Sequence, residues 1–127
     1  MLLHSRIFWA QFLLMILIAA VQVTALTYDL YWRYVWSDLP VHFLGGVWVA
    51  FAILWLFSIT GLNRKGVISV LFGVLCVGVG WELLELWGGV SFFEPNYPFD
   101  SSLDLLMDVL GGLFGYMAAR RFLLPRV

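Results

Sequence analysis

The sequence is poor in charged residues and in cysteine. Only 12% of its 127 residues are charged, against about 25% in an ordinary soluble domain. Its one cysteine, Cys76, excludes an internal disulfide framework and a zinc site built from several thiolates. Its seven basic residues are too few and too scattered for a nucleic-acid surface, so we expect no nucleic-acid partner.

Hydrophobic residues, by contrast, are abundant: they make up 63% of the chain, at a mean hydropathy of +0.96. Four apolar runs each approach the length of about 20 residues that a membrane-spanning helix needs. They cover residues about 7–27, 39–60, 66–87 and 103–123. We therefore predict an all-α fold, an integral membrane four-helix bundle that forms a single transmembrane domain over residues 1–127 and has the lipid bilayer as its partner.

The basic residues predict how the four spans are oriented. In a four-span hairpin arrangement only Arg33 falls on one side of the membrane, and six basic residues fall on the other. Those six are Arg6, Arg64, Lys65, Arg120, Arg121 and Arg126. Because loops rich in lysine and arginine stay in the cytoplasm, we expect both termini to be cytoplasmic and loops 28–38 and 88–102 to face outward.

The acidic residues all fall in the outer half, which then has a formal charge of −7 against +6 for the inner half. Acidic side chains contribute little to topology, so this segregation needs another cause. Asp108 is 12 residues from Arg120, or about 18 Å along a helix, whereas the hydrocarbon layer is about 30 Å thick. Asp108 should therefore lie within the membrane, and Glu82 should do so less deeply. Ionisable residues at such depth are a functional hypothesis by default.

Helical spacing groups five acids and one histidine into pairs. Residues three or four positions apart share a helix face, and each pair is close to glycines of the kind that let membrane helices approach one another. The pairs are Asp38 with His42, Glu82 with Glu85, and Asp104 with Asp108. We predict that these six side chains converge in the bundle interior, just below the outer surface.

Five carboxylates in one site cannot all stay ionised without compensation, because like charges and burial both disfavour the charged form. Three solutions are open: a bound metal ion, shared protons, or a cationic ligand or partner. Carboxylates and imidazole suit Zn, Mn, Fe, Mg or Ca, so the six residues are candidate ligands for one divalent ion or two. A pair of ions would activate water against a phosphoester. The structural alternative is a set of protonated carboxyls that join the helices.

Other features are assigned to packing and to the membrane interface. Gly111 and Gly115 have the spacing of a helix-packing motif, Cys76 is interpreted as a small core residue, and Ser101 or Ser102 as the N-cap of the fourth span. Aromatic residues flank the outer ends of the spans and are interpreted as an interfacial belt. They are Tyr28, Tyr31, Trp32, Tyr34, Trp36, Trp81 and Trp87.

Three motifs resemble a known group of membrane proteins. They are Asp38-Leu-Pro-Val-His42 at the start of the second span, Glu82-Leu-Leu-Glu85 at the end of the third, and Asp104-Leu-Leu-Met-Asp108 at the start of the fourth. Over residues 38–116 the sequence resembles the VanZ-like proteins and, more closely, the YjdF-type proteins. VanZ-like proteins usually carry glutamine in place of Glu85 and asparagine in place of Asp108, so this site is more acidic. The resemblance implies a bacterial or archaeal cytoplasmic membrane and, for VanZ-like proteins, an association with glycopeptide resistance.

Three functions are compatible with these features. The first is a cation-binding protein, and specifically a metal-dependent enzyme that acts on an envelope or lipid-linked substrate. The second is a proton-relay transport protein, which the apolar inner halves of spans two to four disfavour. The third is a non-catalytic or VanZ-like accessory protein whose acidic patch docks a basic membrane or envelope partner. No Ser–His or Cys–His arrangement supports a nucleophilic mechanism.

Overall fold

The computed structural model describes residues 2–34, 36–60, 66–89 and 96–124, with the backbone alone for residues 2–5, and every regular element in this part of the chain is helical. The elements are α1 (Leu2–Thr27), α2 (Leu30–Arg33), α3 (Leu39–Thr60), α4 (Val67–Trp87), α5 (Tyr97–Ala118) and a terminal π-helical turn (Ala119–Leu123). The four long helices are long and apolar enough to cross a bilayer. The predicted all-α membrane bundle is confirmed.

Two of the four long helices, α3 and α5, form the centre of the bundle, and α1 and α4 pack against them. Helices α3 and α5 make the most extensive contact, α4 packs against both, and α1 lies against the outside of α3 and against the terminal turn. Ile7 of α1 and Ala119 of that turn belong to one buried apolar cluster, and α1 contacts the turn directly, so the beginning of α1 and the terminal turn lie at the same end of the bundle. The opposite end contains the first turns of α3 and α5 and the last turns of α4.

Glycines allow α3 and α5 to approach to backbone contact. A Cβ atom at Gly46 would collide with the backbone carbonyl of Asp108, and one at Gly111 with the backbone carbonyl of Phe43. A Cβ atom at Gly115 would lie 2.9 Å from a carbonyl oxygen of α3. The packing role predicted for Gly111 and Gly115 of α5 is therefore confirmed. The close contact between α3 and α5 includes the backbone of Asp108, so it is next to the acidic residues of α5.

The lateral surface of the bundle, which would face the lipid, is apolar. Large side chains such as Ile68 and Phe72 of α4 are exposed. The buried face of α4 includes Val70 and Val74 at one-turn spacing. Cys76 lies on another face of the helix and is exposed, so the prediction that it is a core residue is wrong.

Helix α5 begins at Tyr97, six residues before position 103, where we placed the start of the fourth span. Pro98 is in its first turn, where the missing amide hydrogen is not needed. The N-cap position is Asn96, so the prediction of Ser101 or Ser102 as N-cap is wrong. The hydroxyl of Ser102 instead donates a hydrogen bond to a carbonyl of the helix's first turn at 2.7 Å.

Candidate metal centre

His42 is the centre of the polar cluster at this end of the bundle. It lies one turn after Asp38, near the start of α3, and its ring extends across to α5. Its Nδ1 is 3.3 Å from Oδ1 of Asp108, and its Nε2 is 3.8 Å from Oδ2 of Asp104. The three side chains are at most 10% exposed. One imidazole therefore joins two successive turns of α5 within the bundle.

Three of the six predicted residues come together as a ligand group. Asp38, His42 and Asp104 each offer one nitrogen or oxygen atom, and these atoms lie within 4.8 Å of one another. An ion with bonds of about 2.1 Å holds its ligand atoms roughly 3–4 Å apart. Side-chain adjustments of the order of an ångström would therefore close this group around one ion.

Asp108 has a different place in the cluster. An ionised Asp108 carboxylate can only accept a hydrogen bond, so its contact with His42 favours a ring hydrogen on Nδ1. In a neutral ring with this tautomer the lone pair is on Nε2, the nitrogen that faces Asp104. A carboxylate that fixes the tautomer and orientation of a ligating histidine is a recurring feature of metal sites. Asp108 thus lies outside the three-residue group and contacts Nδ1 of His42.

Glu82 is buried on α4 at the same end of the bundle, with 8% of its surface exposed. Neither of its carboxylate oxygens has a hydrogen-bond partner among the described residues. The same is true of Oδ1 of Asp38 and Oδ1 of Asp104. Buried carboxylate oxygens without partners are expensive. They indicate that something besides the described side chains compensates them.

Glu85 is not brought into the ligand group. It is half-buried, and its Oε1 accepts a hydrogen bond from the indole nitrogen of Trp81 at 2.9 Å on the exposed side of α4. Three residues along a helix rotate the side-chain direction by about 300°, which is about 60° less than a full turn. That rotation moves Glu85 from the buried face of α4 toward its exposed side.

Sequence reasoning left Asp100 outside the cluster. Because α5 starts at Tyr97, Asp100 lies in its first turn and Asp104 one turn deeper. The helix dipole therefore favours Asp100 rather than Asp104. Burial raises the pKa of Asp38 above its ordinary 3.8, and the neighbouring Asp100 carboxylate raises it further. The spacing of Asp100, Asp104 and Asp108 at four-residue intervals could have indicated that all three share one helix face.

Tyr31 was also missed, because it was grouped with the exposed aromatic residues at the membrane interface. It is half-buried, and its hydroxyl donates a hydrogen bond to the amide oxygen of Gln22 on α1. Burial raises the pKa of this phenol, and the carboxylates of Asp38 and Glu85 raise it further. Tyr31 therefore lies beside the cluster. The signal for it in the sequence was Gln22, a polar residue near the C-terminal end of the apolar helix α1.

Among the described residues, His42 is the only basic partner of the cluster. Within the described parts of the chain, no lysine or arginine forms an ion pair with any of these acids. Arg33, in α2, is exposed. The negative charge at this end of the bundle is therefore not balanced by the side chains that the structure describes.

Residues 3–124 match the family model of the predicted membrane proteins DUF2238. The chain belongs to this family. The match includes all four long helices and every residue of the cluster, so the DUF2238 assignment supports a membrane protein over nearly the whole chain. No curated protein and no solved structure matches the chain.

Proposed function

We propose that the protein binds a divalent metal ion within the membrane through Asp38, His42 and Asp104. The observation that carries this proposal is the convergence of three ligand atoms within 4.8 Å, beside buried carboxylate oxygens that lack partners. Two carboxylates and one imidazole suit Zn²⁺, Mn²⁺ or Fe²⁺ better than Mg²⁺ or Ca²⁺, which favour sites made of oxygen alone.

The chemistry of such a site favours a hydrolytic enzyme. An ion with three protein ligands keeps an open position, where it lowers the pKa of a bound water. The protein's own contribution would be to hold the ligand set, to orient His42 through Asp108, and to bury these side chains between the packed turns of α3 and α5.

An apolar groove beside the ligand group supports a lipid-linked substrate. Trp36, Leu39, Pro40, Phe43, Leu44 and Met107 line it. Leu39 follows Asp38 in the sequence, and Phe43 follows His42, so the groove runs along the same turns of α3 as the ligand group. A hydrocarbon chain in the groove would place its polar head at the ion. Pockets of this kind commonly combine an apolar lining with a few polar groups.

The orientation belongs to the same proposal. With both termini in the cytoplasm, the ligand group lies near the outer face, where envelope substrates of a bacterial or archaeal cytoplasmic membrane are found. A proton relay is less well supported. Among the described residues, all those buried toward the other end of the bundle are apolar, including Ile7, Leu54 and Val70.

Thermal unfolding of the purified protein, with and without a chelator, tests the proposal. We expect chelation to lower the melting temperature, and added Zn²⁺ or Mn²⁺ to restore it, because a ligand at 100 times its dissociation constant stabilises the fold by about 2.7 kcal/mol. His42→Gln should melt at one temperature under all three conditions, whereas Glu85→Gln should respond like the wild type. A wild type that neither chelator nor added metal affects would refute metal binding and favour the accessory role suggested by the VanZ-like resemblance.

A further inference from the structure

The two oxygens of Asp104 have different surroundings. Oδ2 faces Nε2 of His42 at 3.8 Å. Oδ1 is buried and has no hydrogen-bond partner among the described residues. A carboxylate with one oxygen toward a candidate ligand and the other unpaired can bridge two ions.

Glu82 provides the other half of this arrangement. It lies one turn after Gly78 on α4, and a Cβ atom at Gly78 would lie 2.5 Å from Oδ2 of Asp108. Because α4 and α5 run antiparallel, Glu82 lies at the level of Asp104, one turn before Asp108. It is more than nine-tenths buried, and neither of its oxygens is paired in the described part of the structure. The hydroxyl of Tyr97 donates to the backbone carbonyl of Glu82 at 3.0 Å, which holds the start of α5 against this turn of α4.

We propose that a second divalent cation binds between Glu82 and Oδ1 of Asp104, so that Asp104 bridges two ions. This inference rests on the proposed function, which supplies the first ion at Asp38, His42 and Asp104. The second site offers three carboxylate oxygens and no nitrogen, so it favours a cation such as Mn²⁺ or Mg²⁺.

Charge supports the second cation. The carboxylates of Asp38 and Asp104 balance the first ion, and Asp108 contacts Nδ1 of a ring that is neutral when it binds a metal. Asp108 and Glu82 are then left as two buried carboxylates without a counter-charge, which a second divalent cation would balance. Sites with two ions about 3.5–4 Å apart are well known in enzymes, and a bridging carboxylate lets two cations share one buried negative group.

Manganese stoichiometry tests this inference on the metal-free, full-length protein in detergent. Equilibrium dialysis against Mn²⁺, followed by elemental analysis, should give two ions per chain for the wild type and one for Glu82→Gln. Glu85→Gln makes the same chemical change three residues further along α4 and should keep two. Electron paramagnetic resonance should show a magnetically coupled Mn²⁺ pair in the wild type and an isolated ion in Glu82→Gln. Circular dichroism and gel filtration check that each variant is folded.

The possible outcomes separate this inference from the proposed function. One ion in both the wild type and Glu82→Gln would overturn the second site and leave the first. Two ions in Glu82→Gln would also overturn it, because Glu82 would then be dispensable. No ion in a folded Glu82→Gln would overturn it as well, because Glu82 would then be a ligand of a single ion. A wild type without any bound ion would refute the proposed function itself.

Discussion

At the residue scale, the two nitrogens of His42 divide the acids of α5 between two roles. Asp104 and Asp108 are one turn, about 5.4 Å, apart along the helix axis, so a single ring contacts both. Nε2 faces Asp104, and Nδ1 contacts Asp108. In the proposed site, Asp104 is a ligand and Asp108 is a positioning residue.

Replacing Asp108 by asparagine tests this distinction. We expect Asp108→Asn to weaken Zn²⁺ binding by about 10–100-fold, the usual effect of removing a carboxylate behind a ligating histidine. Binding should not vanish, because the asparagine oxygen can still accept the Nδ1 hydrogen bond. Calorimetric titration of the detergent-solubilised protein measures the affinity.

Asp29→Asn is the matched control for this substitution. Asp29 is exposed and has a left-handed backbone with φ 52°, which asparagine also adopts readily. Its affinity for Zn²⁺ should equal that of the wild type. If a folded Asp108→Asn bound no Zn²⁺, Asp108 would be a direct ligand; if its affinity were unchanged, Asp108 would not position His42.

At the element scale, hydrophobic length predicted the spans well and the start of α5 poorly. Helix α3, Leu39–Thr60, has the bounds of its predicted span, because Asp38 marks the end of the apolar run. In front of α5 the sequence contains Pro98, and proline is found both in the first turn of helices and in the loops before them. Sequence alone could not decide between these positions, so Asp100 was left in a loop.

Sequence spacing also could not show which paired acids face the interior. Glu82 and Glu85 share a helix face by spacing, yet only Glu82 is buried, because the rotation of α4 depends on its neighbours. Gly78 lies on the same buried face of α4 as Glu82, and a Cβ atom there would lie 2.5 Å from Oδ2 of Asp108. Interhelical packing of this kind is a tertiary property that one sequence does not reveal.

Two adjacent glycines of α3 test the importance of the close helix contact. Gly46→Ala should destabilise the bundle by about 1–3 kcal/mol, because the new methyl group would collide with the backbone carbonyl of Asp108. Gly45→Ala should be neutral or stabilising, since nothing lies within 4 Å of a Cβ atom there and alanine is the better helix former. Denaturation monitored by circular dichroism compares the two, and equal stabilities would contradict this packing.

At the scale of the whole molecule, the bundle is asymmetric along its axis. The buried polar residues in the described part of the chain are Glu82, Asp104 and Asp108, all near one end. The buried cluster extending to the other end is apolar. This arrangement supports a site open to one face of the membrane rather than a path across it.

The basic residues predict that the ligand group lies at the outer face of the membrane. A reporter fused after Val127 should lie in the cytoplasm and one inserted at Pro95 outside, because six basic residues favour the cytoplasmic side and one the other. Paired enzymatic reporters, active on only one side of the membrane, measure this. An external C-terminus would reverse the proposed orientation and place the ligand group at the cytoplasmic face.

The metal content of the protein tests the central claim most directly. Elemental mass spectrometry of the purified full-length wild type should find at least one divalent transition-metal ion per chain. His42→Gln, purified in parallel, should contain far less, and Glu85→Gln should match the wild type. A folded wild type that is isolated without metal, and that takes up neither Zn²⁺ nor Mn²⁺ from buffer, would contradict the account.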